Sequence, residues 1–523
     1  MLRRLQGPCV WRMWGTCVVW SLALTFLFSG CSDPPDPTVS TKATDDTVES
    51  ATKFQPPAPT EFSSLQLPTA ETQPLDERPR TDVAENAAAA TRVRLSDDRP
   101  ELNFARLQQA GIRVYRGQRL VVLSDLPEQQ VAGLPLVADC LFDALEAYFG
   151  QLPEAADGSS FQVTGHIIGD EEKFRQAALM PSAAFTFEHG KHVNYEFWMF
   201  SPTQDYYRRH LMLHEFTHCF MTCESGMNDI PPLWYVEGMA EFFATHRRSK
   251  TSTTAAWKFG ILPDRFDGFE GWGRISEFRR SFARAAESNE DPFKTLKIAA
   301  LSDVMPDTVP NFDSGFQYSS SWALCWFLNH HPQHRAAMQA LAAFKHTDDF
   351  ITQADTFRKS AELALSVDWL LFAESLQEGF DAQRAFAEHN ETPVRLSSVD
   401  EQSPVRFPLL ADRGWQDSGL RLERGQTVQV DCSGRFSVND QPKPWVSESN
   451  GVSIEYIDGV PLGQVIAIFV SVDGTQLTRR IPVGESRQLS APFESSLWMQ
   501  VNDVSDSRAN NSGKIEVTLA PAK

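Results

Sequence analysis

The segment HEFTH, residues 214–218, constrains the fold most because it places two histidines one helical turn apart. The sequence before it has the features of a helix start, with Ser201 as the N-cap, Pro202 in the first helical position and Gln204 three residues after the cap. The run DYYRRHLMLHEFTHCFMTCES then meets Gly226, a residue type that often ends helices. The sequence therefore predicts one long helix, capped by Ser201 and ended by Gly226, that carries both histidines on one face.

Two histidines on one face of a helix can bind a single metal ion. Glu215 lies beside them, where its carboxylate can accept a proton from metal-bound water. A third ligand comes from PPLWYVEGMAEFFATH, in which two prolines precede a second helix with Glu237 in its first turns. The loop between the two helices is short, so we expect the helices to fold back on each other and Glu237 to face the histidines. We therefore predict a zinc site of His214, His218 and Glu237, since two histidines and one glutamate suit zinc best.

The alternative interpretation is that both histidines pack in the core and fall four residues apart by chance. The chain has only 12 histidines in 523 residues, so a random HExxH is rare, and a glutamate well placed in a second helix makes it rarer. His210 lies one turn before His214 on the same face. Because three ligands are already assigned, we expect His210 to line the cleft or to pack.

The pattern HExxH, then 18 residues, then Glu resembles the gluzincin metallopeptidases, particularly their aminopeptidase branch, whose second motif also reads Glu-Gly-x-Ala. The resemblance implies that Glu241, one turn after Glu237, accepts a hydrogen bond from a ligand histidine. It also implies that Tyr318, just before an apolar helix in GFQYSSSWALCWFLNH, stabilises an oxyanion. The alternatives are a plain helix carboxylate for Glu241 and a buried tyrosine for Tyr318.

The GxMEN segment with which those aminopeptidases hold a substrate's amino terminus has no counterpart in this sequence. Residues 119–200, YYRRHLMLHEFTH and W-x-x-EGMAEFF are instead similar to the bacterial peptidase MA-like group of metallopeptidases. This resemblance implies hydrolysis of peptide bonds in peptides or proteins. In that reaction Glu215 accepts the proton of zinc-bound water as the water attacks the carbonyl, and passes it to the leaving amine. Zinc and Tyr318 stabilise the oxyanion.

The patterns around these motifs predict an α+β fold for a metallopeptidase domain at residues 101–395. Strands are predicted in RLVVLSDLP, FQVTGHIIGD and VNYEFWMF, and amphipathic helices in VAGLPLVADCLFDALEAYFG and EEKFRQAALM. Helical patterns then continue through WALCWFLNHH, HRAAMQALAAF and LALSVDWLLFAESLQEGFDAQRAFAEH. Strands followed by helices are typical of the α+β class.

A second region follows, where short alternating runs such as QTVQVDCSGRFSV, QVIAIFVSV and SLWMQVND predict an all-β sandwich over residues 405–523. These runs and NDVSDSRANNSGKIEVTL resemble the calcium-dependent galactose-binding bacterial lectin fold. The resemblance implies a carbohydrate partner and a Ca²⁺ site. Its ligands would be the side chains of Asp503, Asn510 and Asn511 and the carbonyl oxygens of Ser507 and Val438. The alternative to a Ca²⁺ site is that these are ordinary turn residues. The segment QPKPWVSESNG lacks the histidine of the lectin's sugar loop, so galactose binding is not implied.

The N-terminus predicts export. Residues 1–30 combine early arginines, the apolar run MWGTCVVWSLALTFLF and small residues, as in a secretory signal peptide, and the residues before Cys31 resemble a bacterial lipobox. The resemblance implies a lipid anchor on Cys31. Because Ser32 follows this cysteine, it also implies a location at the outer membrane of the cell envelope. A plain signal peptide and an uncleaved anchor are the alternatives. Residues 31–100 are rich in Pro, Ser, Thr and acidic residues, which predicts a disordered tether.

Taken together, the sequence predicts a lipid-anchored zinc metallopeptidase with an accessory β-sandwich. The net charge of −20 argues against a nucleic-acid partner. One alternative is a cell-envelope carbohydrate- or protein-binding lipoprotein whose zinc domain is not catalytic, and another is an anchored scaffold without metal. An intact Glu215 and an available Tyr318 favour the enzyme, because a purely structural metal site needs neither.

Overall fold

The computed structural model describes most of the chain from residue 93 onward. The described residues are 93–94, 96–181, 187–225, 230–249, 257–264, 268–286, 295–296, 304–305, 315–344, 346–441 and 443–522. The predicted signal peptide, Cys31, the predicted tether up to residue 92 and Gly226 lie outside them. The described residues belong to one compact unit, and no helix among them is long and apolar enough to cross a membrane.

The helices fall almost entirely in the N-terminal two thirds of the described chain. They are α1 (Phe104–Gln109), α2 (Glu128–Val131), α3 (Leu134–Phe149), α4 (Glu171–Gln176), α5 (Asp205–Ser225), α6 (Leu233–Ala244), α7 (Arg274–Ala286), α8 (Gly315–His330), α9 (Arg335–Leu341) and α10 (Thr347–Ser375). Two 3₁₀ helices, Leu396–Ser398 and Ser505–Asn510, belong to the C-terminal region.

Of the described strands, five precede α5, three short ones lie between α6 and α8, and a larger group lies near the C-terminus. The first strands are β1 (Arg113–Arg116), β2 (Leu120–Ser124), β3 (Val163–Ile168), β4 (Gly190–Val193), β5 (Glu196–Phe200), β6 (His246–Arg248), β7 (Trp257–Phe259) and β8 (Thr295–Leu296). The later strands are β9 (Val394–Arg395), β10 (Val405–Leu410), β11 (Gln416–Leu422), β12 (Thr427–Ser433), β13 (Phe436–Ser437), β14 (Val446–Ser447), β15 (Asn450–Ile457), β16 (Val460–Ser471), β17 (Leu477–Thr478), β18 (Ile481–Pro482), β19 (Ser486–Ser490), β20 (Ser495–Val501) and β21 (Ser512–Pro521).

A five-stranded sheet with the order β1-β2-β3-β5-β4 lies beside the helix that carries HEFTH. Strands β2, β3 and β5 pair in parallel, and the outer strands β1 and β4 pair antiparallel to their neighbours. All residues of β2 and β3 are buried, which agrees with their nearly continuous apolar sequence. Helix α5 packs against β4 and β5, so the sheet brings its edge strand to the predicted metal site.

Ordered packing begins before residue 101, within the range assigned to the tether. Arg94 is buried and its guanidinium donates to the Tyr195 hydroxyl at 2.8 Å. Arg99 donates to the Tyr195 carbonyl oxygen at 3.1 Å and to the Thr164 hydroxyl at 2.6 Å. The last residues before position 101 therefore pack on the sheet.

The predicted start of the HEFTH helix was wrong, because α5 begins at Asp205. Arg208 Nε donates to the Ser201 hydroxyl at 2.7 Å, and the same guanidinium donates to the Pro202 carbonyl oxygen at 2.9 Å. The first helical hydrogen bond runs from the Arg208 N–H to the Gln204 carbonyl oxygen. Arg208 thus uses the serine that the pattern assigned to a helix cap.

Helix α6 lies between α5 and α8 and packs against both. Its contact with α8 depends on Gly238, where an added Cβ would lie 2.5 Å from the Ser321 carbonyl oxygen and 2.6 Å from Cys325 Sγ. The glycine that follows Glu237 therefore permits close approach of the two helices. This approach fixes the position of the neighbouring glutamate.

The C-terminal region is sandwich-like, with two packed sheets. One has the order β14-β13-β21-β12-β19, with β10 also paired to β21, and the other has the order β8-β17-β16-β20-β11-β9, with β15 and β18 also paired to β16. Inward side chains from both sheets, such as Val430, Phe469, Leu497 and Val517, form a separate apolar core. The chain therefore combines a helix-rich region with a β-sandwich-like region.

The second sheet is covered by helices on its other face. Along β16, Val465, Ala467 and Phe469 join the core of the sandwich, whereas Ile466 and Ile468 join the core of the helical region. Burial on both faces explains why QVIAIFVSV is a continuous apolar run rather than the alternating one that was predicted.

A partly buried ion pair also links the two regions. Glu374 of α10 accepts hydrogen bonds from Arg480 Nε at 2.5 Å and from Trp415 Nε1 at 3.1 Å. The predicted helical pattern up to His389 was wrong beyond Ser375, where α10 ends. Gly379 has φ +74°, a left-handed conformation that a continuing right-handed helix does not allow.

Candidate metal centre

The three predicted zinc ligands lie together where α5 packs against α6. His214 Nε2 and His218 Nε2 are 3.0 Å apart. Glu237 Oε2 is 3.3 Å from the first nitrogen and 3.2 Å from the second. Both histidines are buried and the glutamate is nearly so. We call His214, His218 and Glu237 the cleft cluster.

The donor atoms of the cleft cluster fit a tetrahedral zinc ion. Zinc binds histidine nitrogen and carboxylate oxygen at about 2.0–2.1 Å, so two ligand atoms of a tetrahedral site lie roughly 3.3 Å apart. The three separations in the cleft cluster, 3.0, 3.2 and 3.3 Å, are close to this value. Two histidines and one carboxylate fill three of the four positions, as in catalytic zinc sites.

Negative charge surrounds the histidines of the cleft cluster. Burial alone would lower the pKa of His214, but the hydrogen bond to Glu237 and the charge of Glu241 raise that pKa to about 9. Burial alone would raise the pKa of Glu237, but His218 and His214 hold it far below its usual range. The carboxylates therefore favour a cation among these side chains, either a proton or a metal ion.

Glu241 contacts the outer nitrogen of a predicted ligand, the position that the gluzincin resemblance implies. Its Oε1 lies 3.5 Å from His214 Nδ1, and its Oε2 lies 3.1 Å from His210 Nε2. Arg274 of α7 donates to both carboxylate oxygens, at 2.7 and 3.1 Å. Burial would raise the pKa of Glu241, but Arg274 and His210 lower it well below its ordinary value. The carboxylate beside His214 is therefore ionised and held in place.

Glu215 is buried beside the cleft cluster and lies against the edge strand β4. A Cβ added to Gly190 would be 2.4 Å from Glu215 Oε1, so the strand approaches the carboxylate closely. His192, two residues later on β4, has its Nδ1 3.6 Å from Glu215 Oε2. The His192 ring also stacks on His218, with centroids 4.6 Å apart and planes at 19°. His192 thus contacts both the carboxylate and a predicted ligand.

Sequence reasoning missed His192 and Arg274. The alternation in KHVNYEFWMF could have extended the predicted strand back to His192, but no local signal shows that this strand lies beside α5. Arg274 starts the amphipathic segment RISEFRRSFARAA and pairs with a carboxylate 33 residues earlier in the chain. Both contacts are tertiary, so spacing within one helix could not reveal them.

Tyr318 lies in the first turn of α8 and faces the same cleft. Its ring centroid is 6.4 Å from that of His214, and the Arg274 guanidinium lies over its ring at 5.4 Å. Burial and the charges of Glu237 and Glu241 raise the pKa of Tyr318, so the phenol keeps its proton near neutral pH. A cavity of about 680 Å³ opens here, lined by Glu215, Tyr318 and other residues of α5, α6 and α7.

The residues assigned to calcium lie beside a buried arginine. Asn511 Nδ2 donates to Asp503 Oδ2 at 2.8 Å, and Asn510 is half-buried at the end of the neighbouring 3₁₀ helix. Arg508 is buried and donates to the Asp503 carbonyl oxygen at 3.1 Å. Burial raises the pKa of Asp503 despite this guanidinium. A cationic side chain already lies at this turn, and calcium binding stays a prediction.

Comparisons with known proteins give partial likenesses to solved structures. No protein-family model matches the chain, and no curated protein matches it. Among solved structures, the chain is similar to one described as "EclA N-terminal domain; PllA-like lectin", with 15% identity over 23% of this chain and 100% of that chain and a TM-score of 0.19. A TM-score this low supports no statement about fold or ligand. The assignment of the site therefore depends on its own residues.

Proposed function

We propose that this chain is a zinc-dependent metallopeptidase whose active site is the cleft that contains the cleft cluster, Glu215 and Tyr318. One observation carries the proposal: two histidine nitrogens and a carboxylate oxygen approach one another to 3.0–3.3 Å with a further buried carboxylate beside them. Three ligands and an adjacent base are what hydrolysis at a zinc ion requires. A zinc site with a purely structural role needs no adjacent base.

His214, His218 and Glu237 would hold the ion. A bound zinc ion lowers the pKa of a coordinated water toward 7 and polarises a carbonyl group. Glu241 Oε1 lies 3.5 Å from His214 Nδ1 and would accept the proton of that nitrogen when the ring binds the ion through Nε2. Arg274 keeps Glu241 ionised and fixes its orientation through two hydrogen bonds.

Glu215 is the proposed general base. Its carboxylate accepts the proton of the attacking water and then donates that proton to the leaving amine. The contacts with Gly190 and His192 limit its rotation and keep it next to the cleft cluster. General acid–base steps of this kind contribute about 10²–10⁴-fold to rate.

Tyr318 is the proposed oxyanion donor. Its raised pKa keeps the hydroxyl protonated, so the phenol can donate a hydrogen bond to the oxygen that becomes negative as water attacks. The Arg274 guanidinium over the ring holds the tyrosine on the side of the cleft that also carries Glu241. Its position in the first turn of α8, which packs on α6, couples it to the element that carries Glu237.

An extended peptide is the substrate class that fits the cleft best. As described, β4 ends the five-stranded sheet, and its side chains alternate between half-buried and exposed. A strand at a sheet edge can pair with an extended peptide through main-chain hydrogen bonds. Because Gly190 of β4 touches Glu215, a peptide paired with this strand would pass the proposed base.

Zinc content and peptide hydrolysis by the full chain test this proposal. We expect the purified protein to cleave members of a mixed peptide library, to lose activity with a zinc chelator and to regain it with zinc. His218→Ala should abolish cleavage and release the zinc of the cleft cluster. His189→Ala is the matched control, because His189 is exposed in the same cleft and is not a proposed ligand. A folded protein that carries zinc on the cleft cluster but leaves the whole library uncut would overturn the proposal.

Export and lipid anchoring at Cys31 belong to the same proposal. They are supported by the arginines, apolar run and small residues of positions 1–30. We expect the full chain to fractionate with membranes and Cys31→Ala to be released from them. A Cys31→Ala protein that remains in the membrane fraction would contradict the lipid anchor and favour an uncleaved N-terminal span.

A further inference from the structure

A second group of histidines lies far along the chain from HEFTH, in the turn between α8 and α9. His331 follows the last residue of α8, and His334 is the N-cap of α9. Their rings stack with centroids 4.4 Å apart and planes at 20°. Both Nε2 atoms face Asp368 of α10, whose Oδ2 lies 3.3 Å from that of His331 and 3.8 Å from that of His334. We call His331, His334 and Asp368 the core cluster.

The three facing atoms of the core cluster are buried and share no hydrogen bonds of normal geometry. His331 is 2% exposed, His334 7% and Asp368 3%. Among the described residues, neither Nε2 atom nor Asp368 Oδ2 has a hydrogen-bond partner of normal geometry, and the 3.8 Å between His334 Nε2 and Asp368 Oδ2 is too long for a hydrogen bond. Buried polar atoms without partners are costly, so their convergence on one point calls for a ligand. Two imidazole nitrogens and one carboxylate oxygen are the donors that a divalent transition metal prefers.

Asp368 is held in the orientation that a ligand carboxylate needs. Its other oxygen, Oδ1, lies 2.6 Å from His389 Nε2. The His389 ring in turn packs edge-on against Trp498 of β20, with centroids 5.1 Å apart. A hydrogen bond to the second oxygen of a ligating carboxylate fixes its orientation, and such outer contacts commonly support metal sites.

From these contacts we propose that the core cluster binds a second divalent metal ion, of the zinc class, with a structural role. Its ligands are His331 Nε2, His334 Nε2 and Asp368 Oδ2. The ion links the turn after α8 to the C-terminal third of α10. None of the three residues lines the 680 Å³ cavity at the cleft cluster, so this second ion is separate from the proposed chemistry.

Two features of the core cluster require adjustment when the ion binds. The 3.8 Å separation is wider than the edge of a tetrahedral zinc site, roughly 3.3 Å, so the His334 ring must move inward. The Gln333 N–H also lies 3.2 Å from His331 Nδ1. A His331 ring bound through Nε2 carries its proton on Nδ1, so this weak contact is lost. Both changes are confined to the short turn between α8 and α9, so Asp368 on α10 need not move.

Counting zinc ions in the full chain tests the inference. The protein is incubated with excess zinc chloride and dialysed, and its zinc is measured by plasma mass spectrometry. We expect two zinc ions per parent chain and one in Asp368→Asn, whose amide keeps the volume of the carboxylate and a hydrogen bond to His389. His330→Ala is the matched control, because His330 is the neighbouring histidine, stacks on Trp326 and does not face Asp368. It should keep both ions.

The variant His218→Ala tests the core cluster without altering it. We expect it to keep one zinc ion, and this result does not require Asp368→Asn to fold. A parent chain with one ion that His218→Ala removes would overturn the inference and identify the core cluster as an ion-free histidine–carboxylate contact. A parent chain with one ion that Asp368→Asn removes and His218→Ala does not would support this inference and contradict the zinc site of the proposed function.

Discussion

The cleft cluster and the core cluster have the same donors, two histidines and a carboxylate, but different neighbours. His214 of the cleft cluster lines a cavity of about 680 Å³, which Glu215 and Tyr318 also line. The three residues of the core cluster are themselves buried, and their polar neighbour His389, which lines a smaller separate cavity, contacts the carboxylate of Asp368. The two proposed metal sites have the same donor set. The groups around the donors decide whether a bound ion can take part in hydrolysis.

The two clusters also differ in how their ligands are positioned. His214 and His218 share one face of a long helix, so the backbone fixes their separation. His331 and His334 lie in a turn, and their Nε2 atoms are 3.3 and 3.8 Å from Asp368 Oδ2, a less even spacing than in the cleft cluster. The first pair is consequently recognisable as a motif. The pair His331 and His334 can be recognised as a candidate site only in the folded chain, where α10 places Asp368 opposite the turn.

The largest expected effect on activity comes from substituting Glu215, the proposed base, which has no counterpart beside the core cluster. Glu215→Gln should lower kcat for peptide cleavage about 10²–10⁴-fold, because the amide cannot accept the proton of the attacking water. Its zinc content should equal that of the parent, since Glu215 is not a ligand. The measurements are steady-state kinetics and zinc analysis on the same preparation.

Glu172→Gln serves as the control for this change, because Glu172 is an exposed carboxylate on α4 away from the cleft. It should have parent activity. If Glu215→Gln also had parent activity, the cleft cluster would be no more catalytic than the core cluster, and the distinction between them would fail.

The next effect tests the hydroxyl that faces the cleft cluster. Tyr318→Phe should lower kcat about 10²–10³-fold, the usual consequence of removing one oxyanion donor, with little change in KM or zinc content. Tyr207→Phe is the matched control, since Tyr207 lines the same cleft but has no assigned role. Equal losses in both variants would show that the cleft needs aromatic hydroxyls for packing or binding rather than for the reaction.

Much of the cleft cluster could be predicted because helices make local spacing informative. His214, Glu215, His218 and Glu237 lie on two helices that the helix start and stop signals indicated, and the three predicted ligands meet as the short loop between the helices implied. The helix start was misplaced because Arg208, a buried cation seven residues from Ser201, uses the serine side chain. Local capping rules cannot anticipate that competition.

Other parts of the molecule could not be predicted because they depend on long-range packing. The position of His192 beside Glu215 requires β4 to lie along α5, and the role of Arg274 requires α7 to reach Glu241. The β-rich texture of the C-terminal region was clear, but its burial against the helices was not. Only a strand covered on both faces, as β16 is, requires the unbroken apolar run QVIAIFV.

A smaller effect is expected from a change in the packing of α6, which should weaken zinc binding at the cleft cluster but not at the core cluster. Gly238→Ala places a Cβ 2.5 Å from the Ser321 carbonyl oxygen, so α6 and α8 must move apart. Overpacking of this kind costs about 1–3 kcal/mol of the free energy of unfolding. Because Glu237 is the preceding residue, a chelator titration should remove zinc from the cleft cluster more readily than in the parent and leave the core cluster unchanged.

Gly133→Ala is the control for this change, because an added Cβ there meets no atom within 4 Å. It should alter neither thermal stability nor chelator sensitivity appreciably. Equal loss of zinc from both clusters in Gly238→Ala would mean that the ions report global unfolding rather than the local position of Glu237.

The smallest expected effect concerns the strand that confines the base. Gly190→Ala places a Cβ 2.4 Å from Glu215 Oε1, but the obstructed atom is the end of a flexible side chain, which can rotate away. We expect kcat to fall about tenfold, equivalent to about 1.4 kcal/mol, with unchanged zinc content and thermal stability. Gly268→Ala, at an exposed position with no atom within 4 Å of the added Cβ, should have no effect. A loss as large as that of Glu215→Gln would mean that the edge strand holds the base in its only productive position. Parent activity would mean instead that the carboxylate reaches the water without support from β4, and that His192 alone orients it.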